Sequence, residues 1–174
     1  EQWCADFIAR CLAYKGKEPL RILDLCSGSG CIGLACAQAL PHAQVVCADR
    51  EPQAVALCQL NAQQNGIQNV SCIETDLFSG LTDMQFDVIL TNPPYISEDE
   101  YRTLDASVAR WEDKGALVAD DNGYALIKKI ITQAPSYIRY NKELEQLGIP
   151  QLMIEHGATQ SSPIVDLIRN AGNI

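Results

Sequence analysis

The tetrapeptide Asn92-Pro93-Pro94-Tyr95 follows an apolar run at residues 86–90. Two consecutive prolines remove two backbone N–H donors, so they would end a helix or a central strand. The stretch is therefore predicted to be a rigid turn at the carboxyl end of a buried strand, where an amide and a phenol could carry chemistry. Because Asn-Pro and Pro-Pro also occur in plain turns, the tetrapeptide alone leaves both interpretations open.

A second candidate site is the glycine-rich stretch DLCSGSG, from Asp24 to Gly30, which lies between a predicted strand and a predicted helix. Glycines allow tight turns and close approach of a ligand, and a helix start offers free N–H groups. Gly28, Gly30 and Gly33 match the G-x-G-x-x-G pattern, so a nicotinamide dinucleotide is one candidate ligand. Asp24 and three more residues widen the turn beyond that pattern, and the Asp24 carboxylate suits a ligand with a positive charge.

Two further carboxylates follow the next two predicted strands. Asp49 comes about 20 residues after Gly30, where a carboxylate can accept both hydrogen bonds of a ribose diol. The alternative role for Asp49 is to cap the helix that Pro52 begins. Asp76 follows the third strand, in the right place to meet an adenine amino group, although a single loop aspartate would indicate nothing without this series.

Apolar periodicity predicts the elements that position these residues. Strands are predicted at residues 20–25, 44–48, 70–74, 86–91 and 151–155, and helices at residues 31–40, 52–65, 123–134 and 162–171. Strands that alternate with helices imply right-handed crossovers and a mostly parallel sheet covered on both faces. The predicted fold class is α/β, doubly wound, and in such sheets ligands bind at the carboxyl ends of the strands.

Composition limits the classes of function. The 174 residues are 47% hydrophobic and 20% charged, which suits one globular domain with a core. Because no apolar run approaches the roughly 18 residues of a membrane span, no membrane partner is predicted. The net charge of -9 disfavours a nucleic-acid partner without excluding one.

The cysteines and histidines do not indicate a metal site. The eight cysteines include no C-x-x-C pair, and most lie in apolar periodic segments where cysteine acts as a small hydrophobic residue. His42 and His156 are far apart in sequence. We therefore expect cysteines packed in the core, a reducing compartment and no bound metal.

The glycine-rich stretch, Asp49, Asp76 and the tetrapeptide together resemble the class I methyltransferases that use S-adenosylmethionine. The tetrapeptide narrows the resemblance to enzymes that methylate a planar, conjugated nitrogen, either an adenine amino group or a glutamine amide. The longer stretch NPPYISEDEYRTLDASVARWEDKGALVADDNGYALIKKII is similar to the release-factor glutamine methyltransferases, the HemK-type enzymes of bacteria and mitochondria. The resemblance extends over residues 3–170.

This resemblance implies a cofactor and a set of site residues. The cofactor is S-adenosylmethionine, and the residues implied to bind it are Asp24, Ser27, Gly28, Gly30, Asp49, Asp76, Leu77 and Asn92. The catalytic residues are Asn92, Pro93 and Tyr95, and Pro94 joins them in binding the substrate. The Asn92 side-chain oxygen and the Pro93 carbonyl are expected to accept the two hydrogens of the amide nitrogen. Pro94 stiffens the turn, and Tyr95 packs its ring against the flat substrate group.

The resemblance also implies a protein partner. The expected substrate is the glutamine of the Gly-Gly-Gln motif in a class I peptide chain release factor. The alternatives are an adenine amino group in DNA or RNA, or a glutamine in another translation protein. The acidic segment at residues 98–121 is either a solvated flap or a contact surface for a basic protein partner.

Domain organisation and location follow from the same resemblance. Residues 1–174 are expected to form the methyltransferase domain, without the small N-terminal substrate-binding helical domain of the family and with the final strand pair truncated. The expected location is intracellular, and the mitochondrial matrix is favoured over a bacterial-type cytoplasm.

Overall fold

The computed structural model describes residues 2–14, 16, 18–105 and 113–171. The chain divides into two compact units. The first unit contains Glu1–Thr91 and Ser136–Met153, and the second contains Asn92–Pro135 and Ile154–Ile174. The glycine-rich stretch therefore belongs to the first unit, and the tetrapeptide belongs to the second.

The described strands form one sheet: β1 (Arg21–Leu25), β2 (Gln44–Asp49), β3 (Val70–Glu74), β4 (Val88–Thr91) and β5 (Leu152–Ile154). The strand order is β3-β2-β1-β4-β5, and β1 pairs in parallel with β2 on one side and with β4 on the other. The strand order reverses at β1, which makes its carboxyl end the switch point where such sheets bind ligands. Leu25 lies opposite Ala48 and Thr91, so β1 and β4 end at one level and β2 continues for one more residue, Asp49. The predicted doubly wound, mostly parallel α/β fold is confirmed.

The described helices are α1 (Gln2–Cys11), α2 (Cys31–Ala39), α3 (Pro52–Gln64), α4 (Glu98–Tyr101), α5 (Lys114–Leu117), α6 (Ala125–Gln133), α7 (Lys142–Gln146) and α8 (Ser161–Ala171), and a 3-10 turn (Ala134–Ser136) follows α6. The four predicted helices are present, with their ends shifted by one or two residues. Helix α1 was not predicted, although Phe7 and Cys11 lie four residues apart and are both buried. Helices α4, α5 and α7 were also missed because each is too short to show a full apolar period.

Strand β4 is shorter than predicted because the chain pairs differently at its amino end. Phe86 forms an isolated parallel bridge with Ile138. The Phe86 N–H donates to the Tyr137 carbonyl at 2.8 Å, and the Arg139 N–H donates to the Phe86 carbonyl at 2.7 Å. Regular pairing with β1 therefore begins at Val88, opposite Ile22.

The carboxylate of Asp87 anchors this amino end. It is fully buried and accepts hydrogen bonds from Arg21 N at 2.8 Å, Arg139 Nη2 at 2.9 Å and Asn141 Nδ2 at 3.1 Å. Gln151 Nε2 donates to the carbonyls of Asp87 and Arg139, at 2.9 and 2.7 Å. A buried carboxylate needs such partners because removing its hydration costs several kcal/mol. The network ties the 136–153 segment to the start of β4.

The core of the first unit packs the sheet against α1, α2 and α3, and six cysteines contribute to it. Cys11, Cys36, Cys47 and Cys58 are buried in this core, and Cys4 and Cys72 pack against it. The eight cysteines are free thiols, and the prediction that most of them pack in the core is confirmed. Within the described ranges, no group of three or more His, Cys, Asp or Glu residues is arranged to hold a metal ion. No helix in the same ranges is long and apolar enough to cross a membrane.

Several charges of the acidic segment at residues 98–121 are paired within the second unit. Glu98 forms an ion pair with Lys114 at 2.8 Å, and Glu100 completes a capping box at the start of α4. These contacts favour the solvated-flap interpretation for these charges. Residues 106–112, which include Arg110 and Trp111 of this segment, lie outside the described residues.

Candidate functional site

The glycine-rich stretch forms the turn between β1 and α2. Cys26, Gly28 and Gly30 have positive φ values of 59°, 53° and 82°, a conformation that glycine adopts readily. A Cβ atom on Gly30 would collide with the Cys58 sulfur, whereas a Cβ atom on Gly28 would meet nothing within 4 Å. Packing therefore requires glycine at position 30, and the open space beside Gly28 leaves room for a ligand.

Asp24 joins β1 to α2 from inside the core. Its side chain is only 1% exposed, and its Oδ2 atom accepts a hydrogen bond from the Gly33 N–H at 2.7 Å. A Cβ atom on Gly33 would collide with the Cys47 sulfur and lie 3.0 Å from Asp24 Oδ2. The third glycine of the pattern therefore lets the first turn of α2 approach the strands closely enough for this hydrogen bond.

The second oxygen of Asp24 has no partner. Its Oδ1 atom is buried without a hydrogen bond within the described part of the chain. Burial raises the pKa of Asp24 to about 7, the Gly33 hydrogen bond opposes this shift, and the nearby Cys58 and Asp49 add to it. A buried carboxylate oxygen without a hydrogen bond in the described part of the chain would be stabilised by a positive charge placed beside it.

Asp49, at the carboxyl end of β2, also binds the glycine-rich turn. Its Oδ2 atom accepts from the Gly28 N–H at 2.8 Å, and its Oδ1 atom accepts from the Glu51 N–H at 3.0 Å. Glu51 is the N-cap residue of α3, so the capping role foreseen as the alternative is present in part. Each carboxylate oxygen can accept a second hydrogen bond, and the half-buried side chain keeps that capacity for a diol.

Two further contacts fix the backbone of the turn. The Ser27 N–H donates to the Ala48 carbonyl at 3.1 Å, and the Gly30 N–H donates to the Ser27 carbonyl at 2.8 Å. Asn61 Nδ2, on α3, donates to the Ser29 carbonyl at 2.9 Å. The turn is therefore held on both sides before any ligand binds.

Asp76 and Leu77 lie in a separate turn that follows β3. The Thr75 hydroxyl accepts from the Gly80 N–H at 2.7 Å and lies 3.1 Å from the Leu77 carbonyl, to which it donates. Leu77 is buried with a φ of 49°, whereas Asp76 is exposed. The turn thus places an exposed carboxylate next to a buried apolar residue.

In the second unit, the four residues of the tetrapeptide differ in how far they are exposed to solvent. Asn92 is exposed, Pro93 is buried, and Pro94 and Tyr95 are half-buried. Tyr95 packs against a cluster formed by Ile127, Ile131 and Ile164. Burial raises the pKa of the Tyr95 phenol, and the nearby Glu155 adds to the shift, so the phenol stays neutral at physiological pH.

The backbone after the two prolines is held at several points of the same unit. Gln160 Nε2 donates to the Tyr95 carbonyl at 3.0 Å. The Ile96 N–H donates to the Leu117 carbonyl at 2.9 Å, and the Ile96 carbonyl accepts from the Ala119 N–H at 3.0 Å. Residues 92–95 form an irregular segment that these contacts hold, rather than the turn that the prolines predicted.

The predicted site residues belong to three segments of the structure. Asp24, Ser27, Gly28, Gly30 and Asp49 form one hydrogen-bonded turn in the first unit. Asp76 and Leu77 belong to the neighbouring turn after β3, and Asn92 to Tyr95 belong to the second unit. The ligand roles of these residues remain predictions. Sequence reasoning missed Gln160, because no local pattern indicates a partner 65 positions away.

The buried Asp24 predicts a specific pH dependence of stability. In the unfolded chain its carboxyl has a pKa of about 3.9, whereas in the folded protein it is about 7. Between these values the folded state holds a proton that the unfolded state has released, so stability falls as pH rises from about 4 to about 7. The shift corresponds to a total loss of about 4 kcal/mol.

Asp24→Asn keeps an acceptor for the Gly33 N–H but cannot titrate. Urea unfolding across this pH range should show the variant gaining stability relative to the wild type as pH rises. A constant difference between the two proteins at every pH would contradict the assignment of a raised Asp24 pKa.

The chain matches the model of a known protein family and is similar to curated proteins. Residues 4–147 match the family model described as the methyltransferase small domain. The chain is 39% identical over 157 residues to the release factor glutamine methyltransferase of Escherichia coli (strain K12), a match that covers 90% of this chain and 53% of the relative. It is 41% identical over 123 residues to the ribosomal protein uL3 glutamine methyltransferase of Xanthomonas campestris pv. campestris, which covers 71% of this chain and 40% of the relative.

The chain spans about half the length of these curated relatives. Among solved structures, the ribosomal protein L11 methylase of Lactobacillus delbrueckii subsp. bulgaricus has a TM-score of 0.64 and 19% identity, covering 98% of this chain and 67% of that chain. At this identity the likeness shows a common fold. The resemblance to release-factor glutamine methyltransferases that the sequence indicated is confirmed by the match to the E. coli protein. Because the family model matches most of the chain and the fold agrees with it, the chain belongs to the methyltransferase small domain family.

Proposed function

We propose that this chain binds S-adenosylmethionine and transfers its methyl group to the side-chain amide nitrogen of the glutamine in the Gly-Gly-Gln motif of a class I peptide chain release factor. The observation that carries the proposal is the 39% identity to a release factor glutamine methyltransferase over 90% of the chain. The exposed Asn92, directly after β4 and directly before two prolines, supports it.

The residues of the first unit fit this cofactor. Asp49 would accept the ribose diol with the lone pairs that Gly28 and Glu51 leave free. Asp76 would accept from the adenine amino group, and Leu77 would border its ring. Asp24, with an unpartnered buried oxygen, would stabilise the positive charge of the cofactor. When bound, S-adenosylmethionine supplies a methyl group activated by its attachment to a sulfonium.

The residues of the tetrapeptide fit an amide nitrogen. Such a nitrogen is a poor nucleophile because its lone pair is delocalised into the carbonyl, and it has two N–H donors that can be held. The Asn92 side-chain oxygen and the Pro93 carbonyl would each accept one of them, which fixes the nitrogen and directs its lone pair. The Tyr95 ring would pack against the flat amide. The amide proton becomes acidic as the N–C bond forms, so water can remove it.

A second candidate substrate is a glutamine in ribosomal protein uL3. The 41% identity to a uL3 glutamine methyltransferase supports this alternative, but that match covers 123 residues rather than 157. An adenine amino group fits the same tetrapeptide, yet the net charge of -9 disfavours a polyanionic substrate. The longer match and the charge therefore favour the release factor.

Residues 1–174 form the methyltransferase domain in this proposal, and the compartment is the bacterial cytoplasm. The two relatives described above come from bacteria. They give no support to the mitochondrial matrix, which the resemblance had favoured.

The function is tested by incubating the full-length protein with radiolabelled S-adenosylmethionine and a folded class I release factor. We expect label in the wild-type factor and none in a factor whose Gly-Gly-Gln glutamine is replaced. Parallel reactions with uL3 and with nucleic acid measure the alternatives. Equal labelling of both factors, or label in nucleic acid instead, would overturn the assignment.

Asp49→Ala should weaken S-adenosylmethionine binding. The change removes the ribose acceptors and releases the Gly28 N–H, so we expect an affinity lower by about 10- to 100-fold, a loss of about 1.4 to 2.8 kcal/mol. Calorimetric titration measures it. Glu18→Ala is the matched control, since it removes one exposed carboxylate just before β1 and should leave the affinity unchanged. A folded Asp49→Ala protein with wild-type affinity would reject the role of Asp49.

Asn92→Ala should lower turnover rather than the affinity for the cofactor. Its acceptor serves the substrate amide, so we expect the affinity for S-adenosylmethionine to hold and kcat to fall by about 100-fold. Steady-state kinetics with the release factor measures this, and Asn65→Ala, at the exposed end of α3, is the control. Turnover close to the wild-type rate in Asn92→Ala would show that the amide is held by other groups.

A further inference from the structure

Gln160 is a buried polar residue of the second unit, just before α8. Its side chain is 5% exposed and both of its amide atoms are used. Nε2 donates to the Tyr95 carbonyl at 3.0 Å, and Oε1 accepts from the Gly157 N–H at 2.9 Å. Gln160 therefore links the backbone of the tetrapeptide to the loop that follows β5.

The Tyr95 carbonyl is a crowded point of the second unit. A Cβ atom on Gly123 would collide with this carbonyl and would lie 2.8 Å from Gln160 Nε2. Gly123 has a φ of 85°, so both its conformation and its surroundings require glycine. The lack of a side chain at Gly123 thus leaves space for the Gln160 side chain to donate its hydrogen bond to the Tyr95 carbonyl.

The position of the Tyr95 carbonyl affects the conformation of the tetrapeptide. The rings of Pro93 and Pro94 restrict their φ angles to about −65°, so few torsions remain between Asn92 and Tyr95. Thr91 ends β4 immediately before the tetrapeptide, and the Ile96 pairing begins immediately after it. Holding the Tyr95 carbonyl therefore restricts the orientation of the preceding peptide groups, including the Pro93 carbonyl.

We propose that Gln160 is a positioning residue for methyl transfer, which sets the orientation of the Asn92-Pro93-Pro94-Tyr95 segment through the Tyr95 carbonyl. The expected loss of methyl-transfer rate rests on the proposed function. The role of Gln160 in holding the tetrapeptide backbone rests on the structure alone. Gln160 acts through the tetrapeptide, since the hydrogen bonds of its side chain are to the Tyr95 carbonyl and the Gly157 N–H. Its effect falls on the chemical step, because a displacement of about 1 Å in a positioned acceptor can cost about 100-fold in rate.

The side-chain chemistry of Gln160 explains why other residues would not serve. The position needs one donor for the Tyr95 carbonyl and one acceptor for the Gly157 N–H. Glutamate would offer the acceptor and place a second oxygen against a carbonyl oxygen. Methionine has a similar length but supplies neither, so it would leave two backbone groups without this partner.

The test compares Gln160→Met and Gln160→Glu with Gln151→Met in the full-length protein. Gln151 is the matched control because its Nε2 also donates to backbone carbonyls, those of Asp87 and Arg139, but within the first unit. We expect both Gln160 variants to lower kcat by about 10- to 100-fold and to leave the affinity for S-adenosylmethionine and the KM for the release factor within about twofold. Gln151→Met should lower stability and leave kcat unchanged.

Amide hydrogen exchange gives a readout that does not need activity. Without the Gln160 contact, the N–H groups of Ile96 and Ala119 should exchange faster, while those of β1 and β2 keep their protection. Unchanged exchange at Ile96 in the folded Gln160→Met variant would overturn the proposal, and so would an equal loss of kcat in Gln151→Met. If the wild type methylates no release factor, the proposed function fails, and the exchange result alone decides whether Gln160 holds the tetrapeptide.

Discussion

The hydrogen bond between the buried Asp24 carboxylate and the Gly33 N–H is the contact on which the glycine-rich turn depends. It joins the switch-point strand β1 to the first turn of α2 at 2.7 Å. The contact favours glycine at position 33, since a Cβ atom there would collide with the Cys47 sulfur and lie 3.0 Å from Asp24 Oδ2. Burial of Asp24 raises its pKa to about 7, and the Gly33 hydrogen bond opposes this shift. Burying a charged carboxylate costs free energy, and a cationic ligand beside Asp24 would offset this cost by stabilising its negative charge.

Asp49 is a second carboxylate that holds the backbone of the glycine-rich turn. It holds the Gly28 N–H at 2.8 Å, in the part of the turn where a ligand has room. One carboxylate therefore fixes the helix side of the turn and the other fixes its open side. A preformed turn lowers the ordering cost of binding, because its backbone is already held in the geometry that the ligand needs. The tetrapeptide is held differently, by two proline rings and by contacts to its backbone.

Much of this arrangement was predictable from local patterns. The first four strands and helices α2 and α3 showed clear apolar periods, and β3 ends where predicted, at Glu74, whereas α1 and α7 were not predicted. The Ser97-x-x-Glu100 capping box was visible in the sequence and could have located α4. In contrast, the Asp24 to Gly33 bond, the Asp87 network and the Gln160 contact depend on tertiary packing. A sequence period reports which face is buried, but it does not report which backbone N–H or carbonyl a buried polar group will meet.

The proposed function depends on which ligand the glycine-rich turn binds. The glycine pattern alone allows a nicotinamide dinucleotide, whereas the wide turn, Asp24 and Asp49 together favour S-adenosylmethionine. Calorimetric titration of the full-length protein with each compound is the most direct measurement. We expect saturable one-to-one binding of S-adenosylmethionine and no measurable heat with NAD. Binding of NAD, or no binding of S-adenosylmethionine by the folded protein, would contradict the proposed function.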